Sequence, residues 1–238
     1  MFACFLEKPD KMPKVLIIGG SQGIGFELVQ LLLESHEVYN LSRHAPSVVH
    51  PNLHHFDVDI LTDEIPVIED IQSIVYCPGS ILLKPITSLK ESDFIHDFNI
   101  NVLGAVKVIQ KYVRKLKKQG NASILLFSTV AVQQGMPFHS SVASAKGAVE
   151  GLTRSLAAEF AGSIRVNCIA PSMTDTPLAA GILRNDEAKE RIAQRHPSKQ
   201  INQAEDVSAM ANFLLNPVAK NITGQVIGID GGMSALKL

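Results

Sequence analysis

The sequence predicts one α/β domain, a doubly wound, all-parallel, seven-stranded sheet with helices on both faces. Three observations predict it. Short apolar runs alternate with longer amphipathic segments, the pattern of parallel strands buried beneath helices on both sides. The first run, Val15 to Ile18, passes through a glycine-rich turn into residues at helical spacing, which reads as strand, tight turn, helix. The chain's 238 residues at 46% hydrophobic content suffice for one sizeable core without a second domain.

In order, the strands are expected at Val15–Ile18, Val38–Leu41, Leu53–Val58, Ile74–Tyr76, Ile124–Phe127, Ile164–Ile169 and Val226–Ile229, each a continuous apolar run of strand length. Between them Ser92–Lys118, Ser140–Phe160 and Asp206–Leu215 are amphipathic and read as covering helices. Right-handed crossovers then wind the sheet from its centre in both directions. Residues 1–13 read as a leader, with an apolar patch too short for a signal segment or a membrane span. Residues 14–238 read as the domain. Within it Thr176–Gln200 is polar, rich in charge and follows a strand end, so it is the candidate lid.

A formal net charge of -1 supplies no global field for nucleic acid or an anionic membrane. A small-molecule partner is expected instead. Three cysteines, Cys4, Cys77 and Cys168, form no metal spacing and suggest reduced thiols, with the cytoplasm as the expected compartment. His50, His54 and His55 lack a matching carboxylate or cysteine frame, and no metal is expected. The basic run Lys111–Lys118 before Gly120 suits a solvated helix end.

The turn itself is Gly19-Gly20-Ser21-Gln22-Gly23-Ile24-Gly25. Glycines there let the backbone turn tightly and approach a pyrophosphate, while the following helix offers free N–H groups and the positive end of its dipole. The second strand ends Ser42-Arg43 with no acidic residue, where an acid would hold a ribose 2′-OH. A hydroxyl and a guanidinium suit a 2′-phosphate instead, so NADP(H) is expected over NAD(H).

This turn, with its G-x-x-x-G-x-G spacing, resembles the short-chain dehydrogenase/reductase family, and so do several other stretches from Lys14 to about Ser234. Ile18 stands where the family commonly has Thr. Tyr76-Cys77-Pro78-Gly79 occupies the place of the family's Asn-Asn-Ala-Gly, Asn101-Val102-Leu103-Gly104 matches a helix motif, and Asn221 to Met233 is similar to the closing strand and turn. Ile164 to Ser172 matches the strand leading to Pro171, with Thr174 and Thr176 toward the nicotinamide end. Asp57-Val58 looks like the adenine-contacting pair. The resemblance implies a Rossmann fold, a homodimer or homotetramer, and a catalytic set of Asn, Ser, Tyr and Lys. Asn101 and Lys146 match it. Counting back from Lys146 places Thr129 at the serine and Val142 at the tyrosine.

Valine cannot donate a proton, and a positioned general acid is worth about 10²- to 10⁴-fold. His139 stands three residues before Val142 but reads as a solvent-facing loop residue. Of the tyrosines, only Tyr76 is expected near a cofactor. Three functions remain: a carbonyl reductase like the 3-oxoacyl-carrier-protein reductases, protonating through Asn101, Lys146 and water; an enoyl or dienoyl thioester reductase, whose enolate can be protonated late; and a dinucleotide-binding protein without turnover. Ala143–Glu150 resembles the 2,4-dienoyl-CoA reductase branch, though Ala131 stands where that branch has another tyrosine.

Overall fold

The structure, a computed structural model, describes residues 12–237, so most of the expected leader lies outside the described residues. The chain runs β1 (Lys14–Ile18), α1 (Gly23–Leu32), β2 (Glu37–Ser42), β3 (Leu53–Asp57), β4 (Ile71–Tyr76), α2 (Glu91–Phe98), α3 (Gly104–Leu116), β5 (Ala122–Phe127) and α4 (Ser140–Glu159). It continues through β6 (Ile164–Pro171), β7 (Thr174–Asp175), α5 (Asp186–Ala193), β8 (Asn202–Gln203), α6 (Ala204–Leu215) and β9 (Val226–Ile229). Seven strands form one sheet in the order β3-β2-β1-β4-β5-β6-β9, every pair parallel. The expected sheet is the observed one, a Rossmann fold.

β1 shows why both faces are covered. Alternate side chains of a strand point to opposite faces: Leu16 and Ile18 pack in one cluster with Val108, Tyr112 and Leu116 of α3 and Val149 of α4. Val15 and Ile17 pack in the other with Leu28, Val29 and Leu32 of α1 and Val207, Ala211 and Leu214 of α6. Burying a side chain of this kind stabilises by roughly 1.5–3 kcal/mol. From Val15 to Ile18 β1 therefore has no polar face, and only Lys14 at its first position is polar.

The same topology positions the site. The chain leaves β1 toward β2 and β3, then returns to the other flank of β1 as β4. Connections that part in this way leave a crevice at the carboxyl ends of the two central strands, beside the glycine turn after β1 and the Cys77–Gly79 segment after β4.

Two departures from the sequence pattern matter. The stretch expected as one helix over Ser92–Lys118 is divided by a π turn, Asn99–Leu103, between α2 and α3. An additional residue in one turn shifts the phase of the succeeding helix, and here it buries Asn101 and Val102 while leaving Leu103 exposed. The polar segment over 176–200 contains α5 and a small apolar cluster of Ala179, Leu183 and Ile192, packed with Met173, Ile182 and Ile201. Two short strands, β7 and β8, pair at its base.

Candidate active site

The β1–α1 turn is built for close backbone approach. Gly19 has φ +80°, its N–H donates to the Leu41 carbonyl at 2.8 Å, and a Cβ on Gly25 would strike the Gly19 carbonyl. Gly20 N donates to Asn40 Oδ1 at 2.8 Å. α1 begins at Gly23 with no side chain bonded over its N-terminus and no acid in its first turn, so Ser21, Gln22, Gly23 and Ile24 present an N-terminus suited to an anionic pyrophosphate.

At the outer end, Ser42 is nearly buried and its hydroxyl donates to the His44 carbonyl at 2.8 Å while accepting from Asn40 Nδ2 at 2.8 Å. A phosphate needs donors, and this donor is used internally. Arg43 is exposed. Asp57 takes a bond from His55 Nε2 at 2.9 Å, and Val58 N–H donates to the Ser42 carbonyl at 3.2 Å.

A cavity of about 260 Å³ lies at the inner end. Ile24 reaches it from the turn, Cys77 and Gly79 from the end of β4, Thr129 from the end of β5, Val142 and Lys146 from α4, and Pro171, Thr174 and Thr176 from the β6–β7 corner. Most of the remaining wall is apolar. Lys146 Nζ donates to the Phe127 carbonyl at 2.8 Å, and burial lowers its pKa to about 8, with Cys168, Cys77 and Asp97 pulling it back up. Asn101 Nδ2 donates to the Asp97 carbonyl at 2.7 Å and to Ser80 Oγ at 3.0 Å. Its Oδ1 is buried without a partner among the described residues. A Cβ on Gly79 would come within 3.3 Å of both Asn101 Oδ1 and Lys146 Nζ, so the two polar groups flank the space beside this glycine, where a larger residue would press on both. This cradle, the bare helix end and the buried ammonium fit a nicotinamide dinucleotide.

The family model described as Enoyl-(Acyl carrier protein) reductase matches residues 68–234. The chain belongs to the short-chain dehydrogenase/reductase family. A tropinone reductase homolog of Datura stramonium is 30% identical over 91% of the chain and 90% of its own length. A 3-oxoacyl-[acyl-carrier-protein] reductase of Thermotoga maritima is 36% identical over 61% of the chain and 58% of its length. With a tropinone reductase homolog of Arabidopsis thaliana, 36% identical, the match likewise spans only 60% of the relative. Among solved structures, a short chain dehydrogenase family protein of Francisella tularensis superposes with TM-score 0.86, at 28% identity over 95% of this chain and all of that one. ElxO with NADP bound gives TM-score 0.86 at 26% identity over 95% and 100%.

Against that family background, this short-chain dehydrogenase/reductase has Val142 buried at the cavity wall. Tyr76, the tyrosine expected near a cofactor, instead turns into the core. Its hydroxyl donates to the Ile100 carbonyl at 2.6 Å, and burial raises its pKa. His139, read from the sequence as a loop residue in solvent, is half-buried and lines the cavity. Its Nδ1–H donates to the Pro137 carbonyl at 2.7 Å, because a carbonyl can only accept.

Sequence reasoning missed three polar side chains, Ser80, Asp97 and His196. Ser80 lines the cavity one residue beyond the Tyr76–Gly79 motif. Asp97 and Ser141 are buried behind it. His196 is buried on the lid side, with Nε2 accepting from Ser172 Oγ at 2.9 Å and Nδ1 donating to the Ile192 carbonyl at 3.0 Å. Adjacency to a motif was the only signal for Ser80, and an isolated aspartate in an amphipathic segment gives none for Asp97.

Proposed function

We propose that the protein is an NADP(H)-dependent carbonyl reductase acting on a 3-oxoacyl-like small molecule. The observation that carries the reading is that Lys146 and Thr129 line one apolar cavity beside the glycine turn, with Asn101 Oδ1 buried behind Gly79 at its wall. A reduced nicotinamide, when bound, supplies the hydride. Gly19 to Gly25 would hold its pyrophosphate, Lys146 its ribose, and Arg43 a 2′-phosphate; ElxO, a relative with NADP bound, supports that preference. Thr129 Oγ1 accepts from Ala131 N at 3.4 Å, so its proton is left to polarise a substrate carbonyl. The apolar wall excludes water, which strengthens that bond. Residues 176–200 would close over the substrate. The apolar side chains Ile95, Phe98 and Leu103, exposed along α2 and the π turn, support a homo-oligomer.

A second reading, reduction of a conjugated double bond, is favoured by Val142 and by the description of the matching family model. The deciding experiment follows NADPH absorbance with acetoacetyl and crotonyl thioesters. Wild type is expected to consume NADPH with the acetoacetyl thioester, and Val142→Tyr to do so faster. Turnover with the crotonyl thioester alone selects the second reading. Bound NADPH with neither consumed overturns both and leaves a binding protein descended from a reductase.

A further inference from the structure

We propose that Ser80 exchanges the proton with the reacting oxygen in place of the missing tyrosine, with Asp97 behind the cavity wall as the group that receives and returns it; this rests on the carbonyl-reductase reading.

Three features converge on the pair. Asp97 is fully buried, 0% exposed. Its Oδ1 accepts from Ser80 Oγ and its Oδ2 from Ser141 Oγ, each at 2.6 Å. Burying a carboxylate is costly unless strong donors meet it, and two hydroxyl donors at this distance do so. The second feature is direction. Ser80 Oγ accepts from Asn101 Nδ2 at 3.0 Å and donates to Asp97, which leaves one lone pair on a hydroxyl that lines the cavity. That lone pair is where a substrate hydroxyl can deposit a proton. The third is position. Ser80 follows Gly79, which Lys146 Nζ and Asn101 Oδ1 both flank, and Ser141 precedes Val142. The relay therefore backs the same wall from which the acid is absent.

The steps balance. In the alcohol-to-ketone direction, the substrate O–H bond breaks and its proton joins Ser80 Oγ as the Ser80 proton moves to Asp97 Oδ1. The oxygen's freed electron pair forms the carbonyl as the carbon's hydride leaves to an oxidised nicotinamide dinucleotide. Reduction is the reverse and runs from protonated Asp97, whose Oδ1–H donates to Ser80 Oγ while the Ser80 hydroxyl turns to the substrate oxygen. Asp97 gives its proton to Ser80 and Ser80 gives its own to the oxygen as hydride reaches the carbon. The Asp97 carboxylate, again accepting from Ser80 as in the structure, takes a proton back through Ser80 from water after product leaves. Ser80 touches the reacting oxygen. Asp97 acts through it.

The test measures kcat with an acetoacetyl thioester, NADPH affinity by fluorescence, and calorimetric binding of a 3-hydroxybutyryl thioester to the protein without cofactor. Ser80→Ala is expected to lower kcat by about 10²-fold or more, with NADPH affinity within about twofold, and to weaken the hydroxyl-bearing thioester about threefold to tenfold, as loss of one hydrogen bond does. Ser80→Thr keeps the hydroxyl and recovers most of the rate. Asp97→Asn lowers kcat without changing KM, whereas loss of a purely structural staple would disturb KM and NADPH affinity together. In the Ser80→Ala background, Val142→Tyr restores turnover by supplying another acid. Should Ser80→Ala misfold, Ser80→Thr and Asp97→Asn carry the test alone. An active wild type whose Ser80→Ala or Asp97→Asn variant keeps its kcat overturns this inference and leaves the function standing. A wild type that binds NADPH and turns over neither thioester overturns the function and this inference with it.

Discussion

The two ends of the cavity are made of different material. At the glycine turn the groups that would meet a ligand are backbone: the Gly19 bend, the bare N-terminus of α1 and the close stacking of Gly25 on the Gly19 carbonyl. At the inner end they are side chains: Thr129, Lys146, Ser80 and Val142, with Asn101 buried behind Gly79. A backbone site tolerates only what preserves the bend, while a side-chain site can lose one group and still stand. Val142, an apolar side chain, fills the cavity wall close to Lys146.

The largest effect should therefore come from the backbone end. Gly25→Ala forces a Cβ against the Gly19 carbonyl; it should weaken NADPH binding at least about 100-fold and destabilise the fold by roughly 1–3 kcal/mol, the usual cost of overpacking. Fluorescence titration and thermal melting check the two parts. Unchanged affinity would mean that the turn does not hold the cofactor.

Lys146 comes next, as the side chain that serves both ends. Its burial holds its pKa down at about 8, so the ammonium form predominates below that pH and is lost above it. Binding that uses the ammonium is thus nearly full at about pH 7 and falls as pH rises through about 8. A titration of NADPH affinity from about pH 6.5 to 9.5 should show that decline, and Lys146→Met should flatten it. A decline that persists in the variant would assign the titration to another group.

A smaller effect is expected at the outer end, where Ser42 spends its proton on the His44 carbonyl and leaves exposed Arg43 as the candidate donor to a 2′-phosphate. Arg43→Ala should raise the NADPH dissociation constant about tenfold, the worth of one charge-assisted hydrogen bond, and leave NADH unchanged. Equal losses for both cofactors would remove the argument for a 2′-phosphate. The smallest effect is expected at His139, which lines the cavity with Nδ1 tied to Pro137. With Ser80 as the donor, His139→Gln should keep kcat within about threefold, well below the cost of losing a general acid. A hundredfold loss would instead make the imidazole the missing acid.

The contrast between backbone and side chain also separates the legible from the hidden. Apolar runs such as Val15–Ile18 and glycines at fixed offsets encode strands and turns directly, so the sheet and the tight turn after β1 were legible in the sequence. The pairing of β7 with β8 was not, since two-residue strands carry no periodicity. The apolar spacing of Ser92–Lys118 survives a π turn unchanged, because one shifted residue exchanges a buried Val102 for an exposed Leu103 without altering composition. Asp97 carries no sign of its burial, which depends on hydroxyls brought from the β4 loop and α4 by tertiary packing. Tyr76 misled for a related reason: strand register decides which face a side chain takes, and here it faces α3 rather than the crevice.

The π turn at Asn99–Leu103 also sets which kind of genetic change the protein can absorb. A helix with one residue too many in a turn can become a regular one by deletion, and the backbone between α2 and α3 would keep its hydrogen bonds if one residue of this turn were removed. Such a deletion would rotate Asn101 or its successors by about 100°, one residue's share of an α-turn, away from Ser80 and Gly79. The segment should therefore accept many single exchanges at its exposed positions yet reject the loss of a single codon, and a deletion scan across α2 and α3 would find its sharpest drop in activity there, with the helix itself intact.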